Sequence, residues 1–156
     1  MLNVLPYSGR ETLEDASSQY KELPQPAQVV LHLAEPHLDQ GRHMFTDRYY
    51  TSIPLAEALH DCATSFTGTA NKNRVDLPDQ LRATCHLRDC EVMAFCADHL
   101  LTLVLRAKKK KPVIMLSSES SAATEGATED QIKPVVVQAN NKHMNGVDIA
   151  DQYSTY

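Results

Sequence analysis

Residues 43–70 read HMFTDRYYTSIPLAEALHDCATSFTGTA, and this stretch decides the fold class. His43 to Asp47 has the length and composition of a short strand. Thr51 or Ser52 is suited to cap a helix, and Pro54 falls in its first turn, where the missing amide hydrogen costs nothing. Within that helix Ile53, Ala56 and Leu59 are spaced to face inward, and the helix should end near Cys62. Thr64 to Ala70 is a second strand, rich in threonine and closed by polar residues. Strand, helix and strand in so short a span place the chain in the mixed α/β class.

Working outward, Leu2 to Tyr7 reads as a further short strand, stopped by Pro6 and Ser8-Gly9. Arg10 to Pro26 reads as a polar loop. Ala27 to Asp39 is expected to be a helix with Val29, Val30, Leu33 and Leu38 along one face. Pro36 should shorten that helix, and Gly41 lies just past its end. On the other side, Asn71 to Ala83 is polar and basic. The apolar runs Val92–Ala97, Leu100–Arg106 and Pro112–Ser117 follow. They are broken by Asp98-His99 and by four lysines, so an antiparallel meander is predicted. Residues 117–130 lack large apolar side chains and read as a flexible loop. Val135 to Val137 suits a short strand or extended lead-in, and Val147 to Tyr156 a helix.

The 156 residues (17.4 kDa) suffice for one modest domain, with hydrophobic and charged fractions of 42% and 22%. These values exclude collagen, a coiled coil and a wholly disordered chain. No apolar run approaches the roughly 18 residues of a spanning helix, so no membrane association is expected. The opening MLNVLPYSGRE lacks the basic start and apolar core of a signal peptide. Four cysteines, at 62, 85, 90 and 96, are too few and too clustered for a secreted disulfide scaffold, which points to a reducing compartment. The net charge of −5 excludes whole-surface attraction to nucleic acid. Charge is nevertheless uneven. From Ala70 to Lys111 there are nine Lys/Arg against five Asp/Glu, while the rest of the chain carries six against fifteen.

Several residues are candidates for chemistry. Asp47 ends a strand, where sites of open α/β sheets gather, although an aspartate there also caps turns. Asp148 and Asp151 in GVDIADQ are three apart and share a helical face, or else complement a helix dipole. Asp47 and Asp148 together could bind a hard divalent cation such as Mg²⁺. Asn71-Lys72-Asn73-Arg74 is either a solvated turn or a grip on a phosphate backbone. Lys108–Lys111 is a hairpin turn, a phosphate contact or a nuclear import signal. Cys85, Cys90, Cys96 and His99 do not form paired CxxC spacing, and buried small hydrophobes are the expectation for the cysteines. No GxSxG, HExxH, P-loop or GxGxxG motif supports a hydrolase, zincin or nucleotide-binding reading.

Five collinear motifs then converge: LNVLPYSGRE; VVLHLAEPHLDQGRHMFTDRYYTSIPLAEAL; FTGTANKNRVDLP; LLTLVLRAKKKKPVIMLSS; and NNKHMNGVDIADQYSTY. Together they resemble the transposase domain of piggyBac elements and the domesticated proteins derived from them. The T-S-x-P-L segment and the G-V-D-x-x-D-Q block are the most specific. The resemblance covers residues 1–156 as a partial catalytic domain. It implies an RNase H-like (retroviral integrase-like) fold, truncated at both ends and carrying an inserted antiparallel meander. It implies a DDE site that cuts and joins DNA with divalent metal, Mg²⁺ by expectation. Asp47 and Asp148 match its second and third catalytic aspartates and would hold the metal. Asp151 matches a further required aspartate. Lys72, Asn73 and Arg74 match a basic turn facing DNA. A nuclear location is implied, and a homo-oligomer is compatible with it.

The departures set the remaining expectations. The family's first catalytic aspartate falls upstream of Met1, Arg48 replaces an asparagine, Asn140 a tyrosine and Asn145 a glycine. The chain is therefore expected to be inactive alone and prone to aggregate. A non-catalytic domesticated module that binds DNA or protein is the alternative, and a longer polypeptide with full activity is the other.

Overall fold

The computed structural model describes Leu5 and residues 20–82, 87–119, 124–125 and 133–144. In chain order they form α1 (Gln25–Ala34), a 3₁₀ turn (Glu35–His37), β1 (His43–Thr46), α2 (Ile53–Asp61) and β2 (Ser65–Ala70). Then follow α3 (Asp79–Arg82), β3 (Val92–Ala97), β4 (Leu100–Leu105) and β5 (Val113–Ser117). The described chain closes with β6 (Thr124–Glu125), β7 (Lys133–Pro134) and α4 (Val135–His143). The first five strands make one sheet in the order β1-β2-β5-β4-β3, and β6 and β7 pair separately.

Helix α2 begins where two acceptors meet free amides. Ser52 Oγ accepts from Leu55 N at 3.3 Å, and Asp76 Oδ2 accepts from Ile53 N at 2.9 Å. It returns the chain so that β1 and β2 lie parallel, with Thr46 opposite Gly68. β5 pairs antiparallel with both β2 and β4, placing Thr67 opposite Ser117 and Leu103 opposite Met115. The meander therefore continues the sheet rather than forming a separate layer. Among the described residues β1 pairs with β2 alone.

Strand alternation divides the sheet into two faces. One carries Phe66, Ala70, Ile114, Leu116 and Val104, packed against Ala27, Val30 and Leu31 of α1 and Leu55, Ala56 and Leu59 of α2. The other carries Leu103 and Met115, covered by Val136 of α4. At the α1–α2 end of the first face, Tyr20 Oη lies 3.7 Å from Cys62 Sγ. Burial, and then that contact, pushes the Tyr20 phenol up to about 12.

Several expectations are corrected here. α1 starts at Gln25, after Pro24, and buries Ala27, Val30, Leu31 and Ala34; Val29 and Leu33 are only partly covered. Small alanines let the helix lie close to its neighbours, so burial follows contact geometry more than side-chain size. Val135–Val137 form the first turn of α4 instead of a strand, because Pro134 holds the extended cap conformation (φ −56°, ψ 141°). The polar segment after β2 is anchored by Leu77, Leu81 and Leu87, all buried. Cys90 and Cys96 are exposed, not buried: Cys90 sits in a turn at φ +65°, and Cys96 on the outermost strand β3. The Leu2–Tyr7 strand (Leu5 excepted), Cys85 and the Val147–Tyr156 helix fall outside the described residues.

Candidate functional site

Asp47 stands at the carboxyl end of β1, exposed, and opens the turn into α2. Its Oδ1 accepts from Tyr49 N at 2.9 Å and from Tyr50 N at 3.2 Å. The side chain thus folds its own turn, as a capping aspartate does. Among the described residues Oδ2 has no protein partner, so one carboxylate oxygen is fixed and the other is open to a ligand. Beneath it the backbone is locked by Thr51. Thr51 N donates to the Asp47 carbonyl at 3.0 Å and Thr51 Oγ1 donates to the same oxygen at 2.7 Å. Thr51 Oγ1 also meets Thr46 Oγ1 at 2.8 Å, and both threonines are buried.

Gly68 of β2 makes room for this knot. A Cβ at residue 68 would lie 2.5 Å from Thr46 Oγ1 and 2.8 Å from the Thr46 carbonyl, and nearer still to Thr51 Oγ1. Only glycine lets β2 pass the two hydroxyls. From the sequence alone Thr51 is an alternative helix cap and Gly68 has no assigned role. Their signal was the pairing of a threonine-rich strand end with a glycine in the facing strand.

The basic turn after β2 packs directly on the Asp47 turn. Arg74 Nη2 donates to the Tyr49 carbonyl. Arg48 Nη2 donates to Asn71 Oδ1 at 3.3 Å, and Asn71 Oδ1 also accepts from Asn73 N at 3.2 Å. Two open clefts border this contact. One of about 200 Å³ is lined by Pro26, Arg48, Tyr49, Asn71, Asn73 and Arg74. The other, about 480 Å³, is lined by Pro24, Pro54, Val75 and Asp76 together with Asn73 and Arg74. Of the three residues expected to face nucleic acid, Lys72 and Asn73 are exposed, whereas half-buried Arg74 buttresses the turn.

The sheet register brings a third basic element to this end. β1 and β2 run parallel and β5 runs against β2, with Ala70 opposite Ile114. The β4–β5 connection, Arg106–Pro112, therefore lies on the same rim as Asp47. Its backbone is tied down by Asp89, whose Oδ1 pairs with Arg106 Nε at 3.3 Å and whose Oδ2 accepts from Lys109 N at 3.2 Å. Lys110 N donates to the Ala107 carbonyl at 2.9 Å. Lys108 to Lys111 are all exposed.

A second polar cluster sits at the opposite end of the sheet. His43 Nδ1 lies 2.8 Å from Glu119 Oε2, its Nε2 lies 2.9 Å from Thr67 Oγ1, and Thr67 Oγ1 lies 2.7 Å from Ser117 Oγ. Ser65 and His43 hold the Glu119 carboxyl below its usual range. Thr67 and Ser117 are sealed from solvent, so this arrangement of hydroxyl, imidazole and carboxylate is a structural brace and not a nucleophile. Next to it, the Phe45 ring is stacked between His43 and His143 of α4, at 4.5 and 4.6 Å.

Asp148 and Asp151 lie outside the described residues. Among the described residues no three His, Cys, Asp or Glu side chains gather into a metal-binding group. No helix among them is long and apolar enough to cross a membrane.

Comparison with known proteins gives two findings. A family model described as Transposase IS4 matches residues 1–156. The fold is similar to that of piggyBac transposase in a cryo-EM synaptic complex with hairpin DNA, at TM-score 0.80 and 27% identity. The match covers 96% of this chain and 30% of that one, so the chain spans under a third of the matched protein's length.

Proposed function

Because the chain belongs to the Transposase IS4 family and is of piggyBac type, we propose that it forms part of a DDE-type, RNase H-like domain directed at DNA. The observation that carries this reading is the Asp47 turn: an exposed carboxylate at a strand's carboxyl end, anchored through one oxygen and open through the other. The family implies divalent metal. A carboxylate oxygen without a protein partner suits Mg²⁺, which takes hard oxygen donors and often only one or two carboxylates from the protein. Asp47 would be one ligand and Asp148 a second, with Asp151 supporting the same block. Asp47 lies two residues beyond Phe45, and Asp148 five beyond His143, whose ring stacks on Phe45.

When bound, the metal would supply activation of the attacking oxygen and charge stabilisation at phosphorus. The chain's own residues do the positioning. Thr51 and Gly68 fix the Asp47 backbone, and Oδ1 is held by two amides, which aims Oδ2. Arg74 and Arg48 brace the turn, leaving Lys72 and Asn73 exposed to meet phosphate oxygens. We further propose that these 156 residues alone bind DNA without cutting it, since only two of the three DDE carboxylates are matched in them. A nuclear site of action and assembly with further copies belong to the same reading.

The test is incubation of the purified chain with end-labelled duplex and Mg²⁺. Binding without nicking is expected. Nicking that disappears in Asp47→Asn would overturn the inactive assignment and keep the site. Neither binding nor nicking would overturn the DNA-directed reading.

A further inference from the structure

We propose that the β4–β5 lysine hairpin is a sequence-independent phosphate clamp, and that with Lys72 it carries most of this chain's electrostatic affinity for a nucleic-acid backbone. This rests on the DNA-directed reading above and adds to it a binding element separate from the carboxylate site.

Two strand spacings, about 10 Å, separate β1 from β5, so the hairpin and the Asp47 turn share one rim. The loops of that rim, residues 47–48, 71–76, 88–91 and 106–112, hold nine Lys/Arg against four Asp/Glu in a chain of net charge −5. Each of the four acids holds at least one backbone amide, and Asp47 does so through Oδ1 alone. Asp47 caps its turn, Asp76 caps α2, Asp89 holds Arg106 and Lys109 N, and Glu91 Oε2 accepts from Arg88 N at 2.6 Å. Among the described residues none of the four forms an ion pair with Lys109, Lys110 or Lys111, and the rim keeps a formal excess of positive charge, nine against four.

The hairpin is also built rather than loose. Asp89 and the Lys110–Ala107 bond fix its backbone, and Lys109 sits at a sharp turn with φ +58°. Like charges so close repel one another, and a polyanion relieves that repulsion. Arg74 and Arg48 each donate to a neutral acceptor, the Tyr49 carbonyl and Asn71, which ties the basic turn to the Asp47 turn.

The test is a fluorescence-anisotropy titration of a labelled duplex at salt concentrations from about 50 to 200 mM. It compares the unmodified 156-residue chain, K109A/K110A/K111A and K109R/K110R/K111R, with circular dichroism confirming that both variants melt like the parent. Each phosphate neutralised contributes about 0.9 to the slope of log affinity against log salt. The alanine variant should lose about 2–3 from the slope on every duplex sequence, and the arginine variant should keep the parental slope. If the parent binds and the alanine variant keeps its slope, the clamp is refuted while the DNA-directed reading stands. If the alanine variant keeps its slope but loses nuclear uptake, the lysines belong to an import partner and the clamp is refuted. If the parent shows no binding, both readings fall.

Discussion

Replacing Thr51 with valine keeps shape and volume but deletes one buried hydroxyl. Three contacts of that hydroxyl disappear, to the Asp47 carbonyl at 2.7 Å, to Thr46 Oγ1 at 2.8 Å and, longer, to the Thr46 carbonyl at 3.4 Å. The Asp47 carbonyl keeps its bond from Thr51 N, so its loss is modest. The buried Thr46 hydroxyl has no other partner among the described residues and is stranded. A neutral hydrogen bond contributes about 1 kcal/mol net, and an unsatisfied buried polar group costs about 1–3 kcal/mol. The expected destabilisation is therefore about 3 kcal/mol, or roughly 6–12 °C in Tm for a chain of this size. The double variant T46V/T51V removes both hydroxyls and strands neither. It should be less destabilised than the sum of the single variants by about 1–2 kcal/mol. Urea and thermal unfolding of the four proteins, followed by circular dichroism, give the cycle. A T51V effect under about 0.5 kcal/mol, or a double variant equal to the sum, would refute the interlock beneath Asp47.

Gly68→Ala forces a methyl against Thr46 and Thr51 and should destabilise by about 1–3 kcal/mol through overpacking, measured by the same unfolding assay. Asp76→Ala removes the acceptor for Ile53 N at the start of α2 and should cost about 1 kcal/mol, with Asp76→Asn retaining most of the parental midpoint. Tyr20 gives a pH prediction. Its folded value of about 12 lies above the unfolded 10, so its contribution to stability is complete below pH 10 and lost as pH rises through 12. Tyr20→Phe should flatten that alkaline decline in midpoint. A decline of parental steepness in the variant would assign it to another group.

The strands were readable because each apolar run is bounded by turn residues, and because Asp98-His99 and the lysines fall where hairpins must reverse. α1 and α4 were less so. Hydropathy points to Val29 and Leu33, but close helix packing buried Ala27 and Ala34 in preference. Three consecutive β-branched valines at 135–137 suggest a strand. The Pro134 cap and the packing of Val136 on Leu103 and Met115 outweigh that local preference. Asp47 was legible as a strand-end carboxylate. The work of Thr51, Gly68, Asp76 and Arg74 was not, since each acts on a residue brought close only by pairing β1 with β2 or by the fold-back after β2. The same applies to the lysine run, whose place beside Asp47 depends on β5 reversing against β2.

The register also orders folding in time. β3 and β4 meet through a two-residue turn, and β4 and β5 through a short one, so their pairings close small loops. Joining that hairpin stack to β2 pairs Thr67 with Ser117, fifty residues apart. Loop-closure entropy makes such distant pairings late. The meander should therefore assemble as an early unit, and β1, α2 and β2, whose register joins His43 to Ser65, as a second one. Joining the two units through β2 and β5 is the late step. Hydrogen exchange would read this as protection of the β4–β5 amides ahead of those that bond β2 to β5. The Asp47 turn and the lysine hairpin thus belong to separate folding units, and the rim they share is completed only when the two units meet.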